Sequence, residues 1–438
     1  MRRGQQHGVV TVTGVVTESY QGGNMSAPYD VVMIGAGILG LATARELLSR
    51  QPQLRIAVLD KESRPGQHQS GHNSGVLHAG VYYKPGSLKA RLCVDGKVQM
   101  ERFAREHGIP FETCGKLIVA LADDELGRLD DLAERGRANG VQGLRMVGPE
   151  EMREIEPYAV GVRALHVPVT GIIDFGMVVA TLSRLLAEAG VDLFYGREVT
   201  GITARAGVQV ISTPAGEIET RKVISCAGLQ SDRVAGYETK PDVQIVPFRG
   251  DYYTLLPEAR YLCRGLIYPV PDPTLPFLGV HFTKRSDGEV WAGPNAVLAT
   301  KREGYARSGF DRRDFFETVR YPGFRKLART YWRTGAAEVW RDVVKSAFVK
   351  ELQRYVPSVR SEQLVFGPSG VRAQAVNVDG SMVDDFKLAG TRDSLHVLNA
   401  PSPAATASLA IAKHLADQAT TQLGVSPGSA PVSSRTSR

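Results

Sequence analysis

Residues 29–60 read YDVVMIGAGILGLATARELLSRQPQLRIAVLD, and this stretch decides the fold. The apolar run Tyr29–Ile34 has strand length, a glycine-rich turn follows, and Leu41, Ala44 and Leu48 then recur at helical spacing before a second apolar strand over residues 55–60. This is a βαβ unit. Gly35, Gly37 and Gly40, with Ala36 and Ile38 between them, form G-x-G-x-x-G at the strand-to-helix turn, and Asp60 ends the next strand. Gly35 permits the tight turn, Gly37 lets the backbone approach a pyrophosphate, and Gly40 allows close helix-to-strand packing, with the helix N-terminus facing the phosphate charge. An acid at position 60 accepts hydrogen bonds from adenosine ribose hydroxyls and repels a 2′-phosphate, which disfavours NADP.

The rest of the chain must be organised around that unit. At 438 residues it exceeds what one core usually holds, so two domains are expected. With 43% hydrophobic and 23% charged residues it has an ordinary globular composition, and no apolar run approaches the roughly eighteen residues of a membrane-spanning helix. The net charge of +7 is spread along the chain without a basic stripe carrying interleaved aromatics, so nucleic acid is excluded and small anions are favoured. Cys93, Cys114, Cys226 and Cys263 show no CxxC spacing, which argues against zinc and against disulfides and fits a reducing, cytoplasmic compartment. Residues 1–28 are expected to be a flexible extension with a poor signal-peptide pattern, Met25 offering an alternative start. Residues 424–438, rich in Ser, Pro and Gly, are expected to be a disordered tail.

Strand and helix patterns alternate over 29–109, 166–236 and 364–423, which are assigned to one discontinuous dinucleotide-binding domain. The segments 110–165 and 237–363 are richer in proline, aromatics and hairpin-like alternation, and are assigned to an inserted substrate-binding domain. The expected class is α/β: a Rossmann-like domain with an inserted α+β domain built on a mainly antiparallel sheet.

The glycines do not choose between NAD and FAD. The loop after Asp60, KESRPGQHQSGHNSGVLHAGVYYKPGSLKARLC (61–93), is dense in Gly, Ser, Asn and His, wrong for a packed third Rossmann strand and suited to lining a flavin. With DVVMIGAGILGLATARELL (30–48), VLDKES (58–63), HQSGHNSGVLHAGVYYKPGSLKA (68–90), VISCAGLQSDR (223–233), PFRGDYY (247–253), IYPVPDP (267–273), PFLGVHFT (276–283), GPNAVLA (293–299), GVRAQAV (370–376) and NAPSPAATAS (399–408), the chain closely resembles the L-2-hydroxyglutarate dehydrogenase/oxidase family. These are flavoproteins of the D-amino-acid-oxidase and glycerol-3-phosphate-dehydrogenase superfamily. The resemblance runs from about 29 to 420, with 304–345 the least similar stretch. It implies oxidation of L-2-hydroxyglutarate to 2-oxoglutarate, with FAD accepting a hydride at N5, and electrons passing to a quinone or other membrane carrier or to oxygen.

Such chemistry needs a base, cations for two carboxylates and stabilisation of reduced flavin. His78 in SGVLHAG is the first candidate base, with roles in orienting or attaching the flavin, or a purely structural one, left open; His281 is the alternative, because the resemblance implies that it faces substrate. Arg249 and Arg372 are candidate carboxylate forks, aided by Lys84 or Lys89, with Tyr83, Tyr252 and Tyr253 as hydroxyl donors or core aromatics. Lys61, Ser70, His72, Asn73, Ser74 and Gly75 are placed on the flavin loop, which His68 and His72 order. Cys226, Ala227 and Gly228 follow the strand expected at the pyrophosphate, and Val199 resembles the position meeting adenine. Ser402, Pro403, Ala404, Ala405 and Thr406 open an Ala-rich helix whose amides, with Gly370 and Val371, would face the flavin's developing negative charge. No metal is expected. A basic chain without a spanning helix fits peripheral attachment to the inner face of a membrane as well as an anionic substrate. The competing readings are a superfamily member acting on an amino acid or glycerol 3-phosphate, and a sensor that binds FAD without turnover.

Overall fold

The computed structural model describes residues 27–273 and 278–425. Most of the expected extension and tail therefore lies outside the described residues, as do four residues of the 276–283 neighbourhood, 274–277. Among the described residues, the strand Tyr29–Ile34 runs parallel to Ile56–Leu59 on one side and Gly216–Ser225 on the other. Asp192–Phe194 extends this layer beyond Ile56–Leu59, and Ser394–Asn399 joins Gly216–Ser225, all in parallel. Parallel strands need both faces covered, and alternate residues of the first strand serve the two cores. Val31 and Met33 pack towards helices Ile38–Arg50, Phe175–Glu188 and Ala404–Leu423, while Val32 and Ile34 pack under the antiparallel meander Gly201–Arg205, Val208–Thr213 and Gly216–Ser225. This is the expected Rossmann-like layer.

The second sheet has nine strands and is antiparallel throughout except where Leu266–Pro269 runs parallel to Lys116–Ala120. Its spine is Val243–Leu255, paired along its length with Leu364–Asn377 and, in shorter stretches, with Val290–Gly293 and Val297–Leu298. Sheet membership moves two of the expected boundaries. Arg163–Val167 is paired to Lys116–Ala120, so a return to the first domain at 166 would cut a strand of the second sheet. Likewise Leu364–Asn377 belongs to the second sheet, and the first layer resumes only with Lys387–Gly390. Pairing is a long-range property, and local alternation carries no record of which sheet a strand joins.

The hairpin-like reading of 237–363 also fails in part. Four consecutive helices, Arg312–Arg320, Pro322–Thr330, Trp332–Val343 and Lys345–Gln353, occupy much of its second half. The first begins at Asp311, whose side chain accepts the Asp314 N–H, and Pro322 opens the second.

Candidate active site

The glycine turn is built as its sequence requires. Gly35 has φ +103°, and a Cβ there would stand 2.5 Å from the Cys226 carbonyl oxygen; one on Gly40 would stand 1.9 Å from the Gly35 oxygen. Gly40 therefore packs behind the turn, and Gly35 and Gly37 face a cavity of about 1210 Å³ between the two sheets. Asp60 accepts the Ala36 N–H at 2.7 Å and the Glu62 N–H at 2.9 Å, so its carboxylate first shapes the turn itself; burial pushes its carboxyl above the usual range. Ser70 Oγ accepts the Ile38 N–H at 2.9 Å and ties the flavin loop to the helix start.

Of the residues expected on the cofactor, Ile38, Asp60, Lys61, Ser70, His72, Asn73, Ser74, Val199, Cys226, Ala227, Gly228, Gly370, Val371 and Ser402 through Thr406 also line this cavity. Ala36, Gly40 and Gly75 do not. The Ala36 side chain is fully buried behind the turn, and a Cβ on Gly75, which has φ +72°, would meet the Ile173 oxygen and the Arg285 guanidinium, each at 2.9 Å. Asn73 orders the loop, donating to the Gln69 and Ser70 carbonyls and accepting the Gly75 N–H. His72 stacks on Tyr305 at 3.9 Å. Thr406 does more than open its helix: its buried hydroxyl donates to the Val76 carbonyl and accepts the His78 N–H, which fixes His78 against the helix start. That helix has no side-chain cap; its Ala404 N–H donates to the Pro401 carbonyl and its Ala407 N–H to that of Pro403, so Ala405 and Thr406 are the first-turn amides that could face a ligand.

One trio among the described residues, Glu62, His68 and Glu303, has metal-ligand spacing. Lys61 already occupies it, its Nζ bonded to Glu62, 2.9 Å from Glu303 and 3.1 Å from His68.

The chemistry-bearing side chains gather where His78, Tyr83, Tyr252, Tyr268, His281 and Arg372 line the same cavity. His281 is buried against Tyr268, ring centroids 3.9 Å apart, and its Nδ1 donates to the Gly279 carbonyl at 2.8 Å. That bond sets the tautomer and leaves Nε2 as the proton-accepting nitrogen. Burial, with Lys116 and Arg372 adding to it, lowers the His281 pKa to about 3. His78 is also held neutral, its pKa driven well down by burial and then by Lys116, His281 and Arg372; its buried Nδ1 has no hydrogen-bond partner among the described residues.

Arg249 does not reach this group. Along Val243–Leu255 side chains alternate, so Gly250 and Tyr252 face the cavity while Arg249, Asp251 and Tyr253 face the other way. Arg249 Nε lies 3.0 Å from both Asp251 oxygens and its NH2 3.3 Å from Asp342, so its charge is already neutralised. The i, i+2 spacing of Arg249 and Asp251 was the available signal. Tyr253 is core, stacked on Phe366. Arg372, Lys84 and Lys89 remain on the cavity wall, and Lys89 is bonded to Asp384.

Sequence reasoning missed Lys116. It is 4% exposed, has no acidic partner among the described residues, and sits over the rings of Tyr268 at 4.4 Å and Tyr82 at 5.0 Å. Burial lowers its pKa to about 8. In sequence it is one lysine opening an apolar strand.

A glycine cradle that a Cβ would fill, an uncapped helix start and a cavity long enough for a dinucleotide fit FAD, and define a flavin-dependent oxidoreductase. Residues 30–418 match the family model described as DAO, FAD dependent oxidoreductase. The chain is 46% identical to L-2-hydroxyglutarate dehydrogenase of Indibacter alkaliphilus, over 87% of this chain and 96% of that one. It is 46% identical to the human mitochondrial L-2-hydroxyglutarate dehydrogenase, over 91% and 90% of the two chains, and 43% identical to that of Escherichia coli, over 90% and 94%. Among solved structures, FAD-bound L-alpha-glycerophosphate oxidase from Mycoplasma pneumoniae superposes with TM-score 0.74 at 23% identity, covering 91% of this chain and 95% of that one. The chain belongs to the FAD-dependent DAO family and, within it, to the L-2-hydroxyglutarate dehydrogenase family.

Proposed function

We propose that this protein oxidises L-2-hydroxyglutarate to 2-oxoglutarate. The observation that carries the reading is that two histidines held neutral by burial, His78 and His281, share one cavity with Arg372, and that Lys116 and Arg372 both act on them with positive charge. An anionic hydroxy acid suits such a setting. When bound, FAD supplies a two-electron acceptor. His281 Nε2 takes the hydroxyl proton, its ring held by the Gly279 bond and the Tyr268 face. His78 closes the site from the flavin-loop side, held through Thr406. Arg372 takes one substrate carboxylate and Lys84 the other, the role first considered for Arg249. The Gly35–Gly37 turn and the uncapped start of Ala404–Leu423 hold the cofactor. The relatives' names support this substrate over an amino acid or glycerol 3-phosphate.

Electrons then leave for a quinone or other carrier at a membrane face, with oxygen as the competing acceptor, and the protein acts in the cytoplasm at that face. No described helix is long and apolar enough to cross a membrane. The test is anaerobic bleaching of the flavin by L-2-hydroxyglutarate, D-2-hydroxyglutarate and glycerol 3-phosphate supplied separately. Bleaching by the L-hydroxy acid alone supports the assignment; a yellow protein bleached by none of the three overturns it. Admitting oxygen or a soluble quinone to the bleached protein then identifies the acceptor.

A further inference from the structure

The strand Tyr29–Ile34, which leads into the glycine turn, stands between Ile56–Leu59 and Gly216–Ser225, all three parallel. In such a layer a dinucleotide lies beyond the carboxyl ends of the strands. Lys61 comes just after Ile56–Leu59 and Gln230 shortly after Gly216–Ser225, so their side chains belong to opposite sides of the glycine turn. One oxygen of Glu303 stands 2.9 Å from Lys61 Nζ, and the other accepts the Gln230 side-chain N–H at 2.9 Å. A single carboxylate therefore joins the two sides of the crevice, and Glu303, Lys61 and Gln230 all line the cofactor cavity. Lys61, which Glu62 also holds, offsets the Glu303 charge beside a site for a pyrophosphate.

The segment that carries Glu303 is built to keep it there. The Gly304 N–H donates to the Lys301 carbonyl at 3.1 Å, which makes a tight turn. Arg302, just before Glu303, is buried; its backbone N–H donates to Asp314 at 2.8 Å, and its guanidinium is fixed by Asp232 and the Leu229 carbonyl. Tyr305, just after the turn, stacks on His72 of the flavin loop, and His72 Nδ1 donates to the Ser369 carbonyl at 3.1 Å. Residues 302–305 follow Val297–Leu298 of the second sheet, yet they fasten three parts of the first layer: the end of Ile56–Leu59, the flavin loop and the segment after Gly216–Ser225.

We propose that Glu303 and Tyr305 form a clasp that closes the crevice over FAD, so that the cofactor enters and leaves only when the clasp opens. Glu303 is a positioning residue, acting on the cofactor through Lys61 and Gln230. Every bond of the clasp joins protein groups, so it closes with or without FAD, and opening it breaks a charge-assisted bond to Lys61. A gate of this kind slows uptake and release together, whereas a direct contact with the cofactor slows release alone. The clasp depends on FAD and not on the identity of the substrate.

The test follows flavin fluorescence in the full chain: release after dilution of the FAD-loaded protein, and uptake after mixing apoprotein with FAD. Glu303→Ala is expected to speed both rates about tenfold, the factor that one hydrogen bond to a charged group supplies. Its Kd for FAD should stay within about threefold of wild type, because a gate acts on both directions alike. Glu303→Gln keeps an acceptor for Lys61 and Gln230 and should restore most of the slow exchange. Rates equal to wild type in Glu303→Ala overturn the proposal, and a lowered urea midpoint of the apoprotein beside those unchanged rates would make Glu303 a strut between the sheets. Faster release without faster uptake also overturns it, and would make Glu303 a direct contact of the cofactor. If Glu303→Ala does not fold, Gln230→Ala frees the other end of the bridge, with the same rise in both rates expected and the same two results counting against the clasp.

Discussion

At the residue scale, His281 and Lys116 are governed first by burial. His281 has its folded pKa lowered to about 3, so the imidazole is neutral and able to accept a proton at any pH above that value. The free enzyme's kcat/KM should therefore show no acid limb at the ordinary histidine value near 6.5. Lys116 behaves oppositely: with a pKa of about 8 it loses its charge as the pH rises. An alkaline decline in kcat/KM centred near pH 8 is expected, moved upward in Lys116→Arg, which stays charged, and absent in Lys116→Met, whose activity at pH 7 should already be down about tenfold. A pH–rate profile that is the same for all three proteins would remove Lys116 from the chemistry. The same histidine links to stability. The unfolded state takes up a proton near pH 6.5 that buried His281 refuses, so its contribution is present above 6.5 and lost as the pH falls towards about 3. Thermal unfolding between pH 7 and 5 should show a smaller drop in Tm for His281→Gln than for wild type.

At the element scale, the glycine turn is the least tolerant feature. A Cβ at position 40 would lie 1.9 Å from the Gly35 oxygen, so Gly40→Val must push Ile38–Arg50 off the strand beside it. We expect a protein purified without flavin colour and destabilised by about 3 kcal/mol, measured by urea unfolding; a yellow, equally stable variant would contradict the packing role. The helices Leu88–Glu106 and Ala404–Leu423 depend on a comparable approach, since a Cβ on Gly96 would stand 2.5 Å from the Ala407 Cα. That contact lies one residue past Thr406, so the helix that ends the chain's first layer also sets His78. These constraints are local, and the G-x-G-x-x-G spacing announced the first of them. Nothing local announced the second.

At the scale of the whole molecule, buried ion pairs join segments far apart in the chain. Arg302 is 2% exposed, grips Asp232 through both terminal nitrogens and donates to the Leu229 carbonyl at 2.8 Å, clamping the loop before the four helices onto the segment following Gly216–Ser225. Arg302→Met leaves Asp232 buried without its partner and should cost about 3–5 kcal/mol, much of it recovered in the double variant with Asp232→Asn. Equal urea midpoints for wild type and Arg302→Met would show the clamp to be dispensable. Asp342 makes the comparable link on the other side, joining the outward-facing helix Trp332–Val343 to Arg249 on the spine of the second sheet.

The sequence by itself determined the βαβ unit, the dinucleotide turn and the glycine-rich loop after Asp60, because each depends on backbone needs or composition within a short window, whereas His281 was singled out only by the family resemblance. Only the tertiary structure decided that Arg249 is neutralised by Asp251 and Asp342, that Tyr252 faces the cavity while Tyr253 joins the core, and that Lys116 is a buried cation with no acidic partner among the described residues. It also decided that strands 163–167 and 364–377 pair in the second sheet and that a helix turns its tryptophans outward. The physical reason is common to all of these. A charge's worth is set by what desolvates and pairs it, and a strand's membership by its partners, and both are supplied by residues far away in the chain.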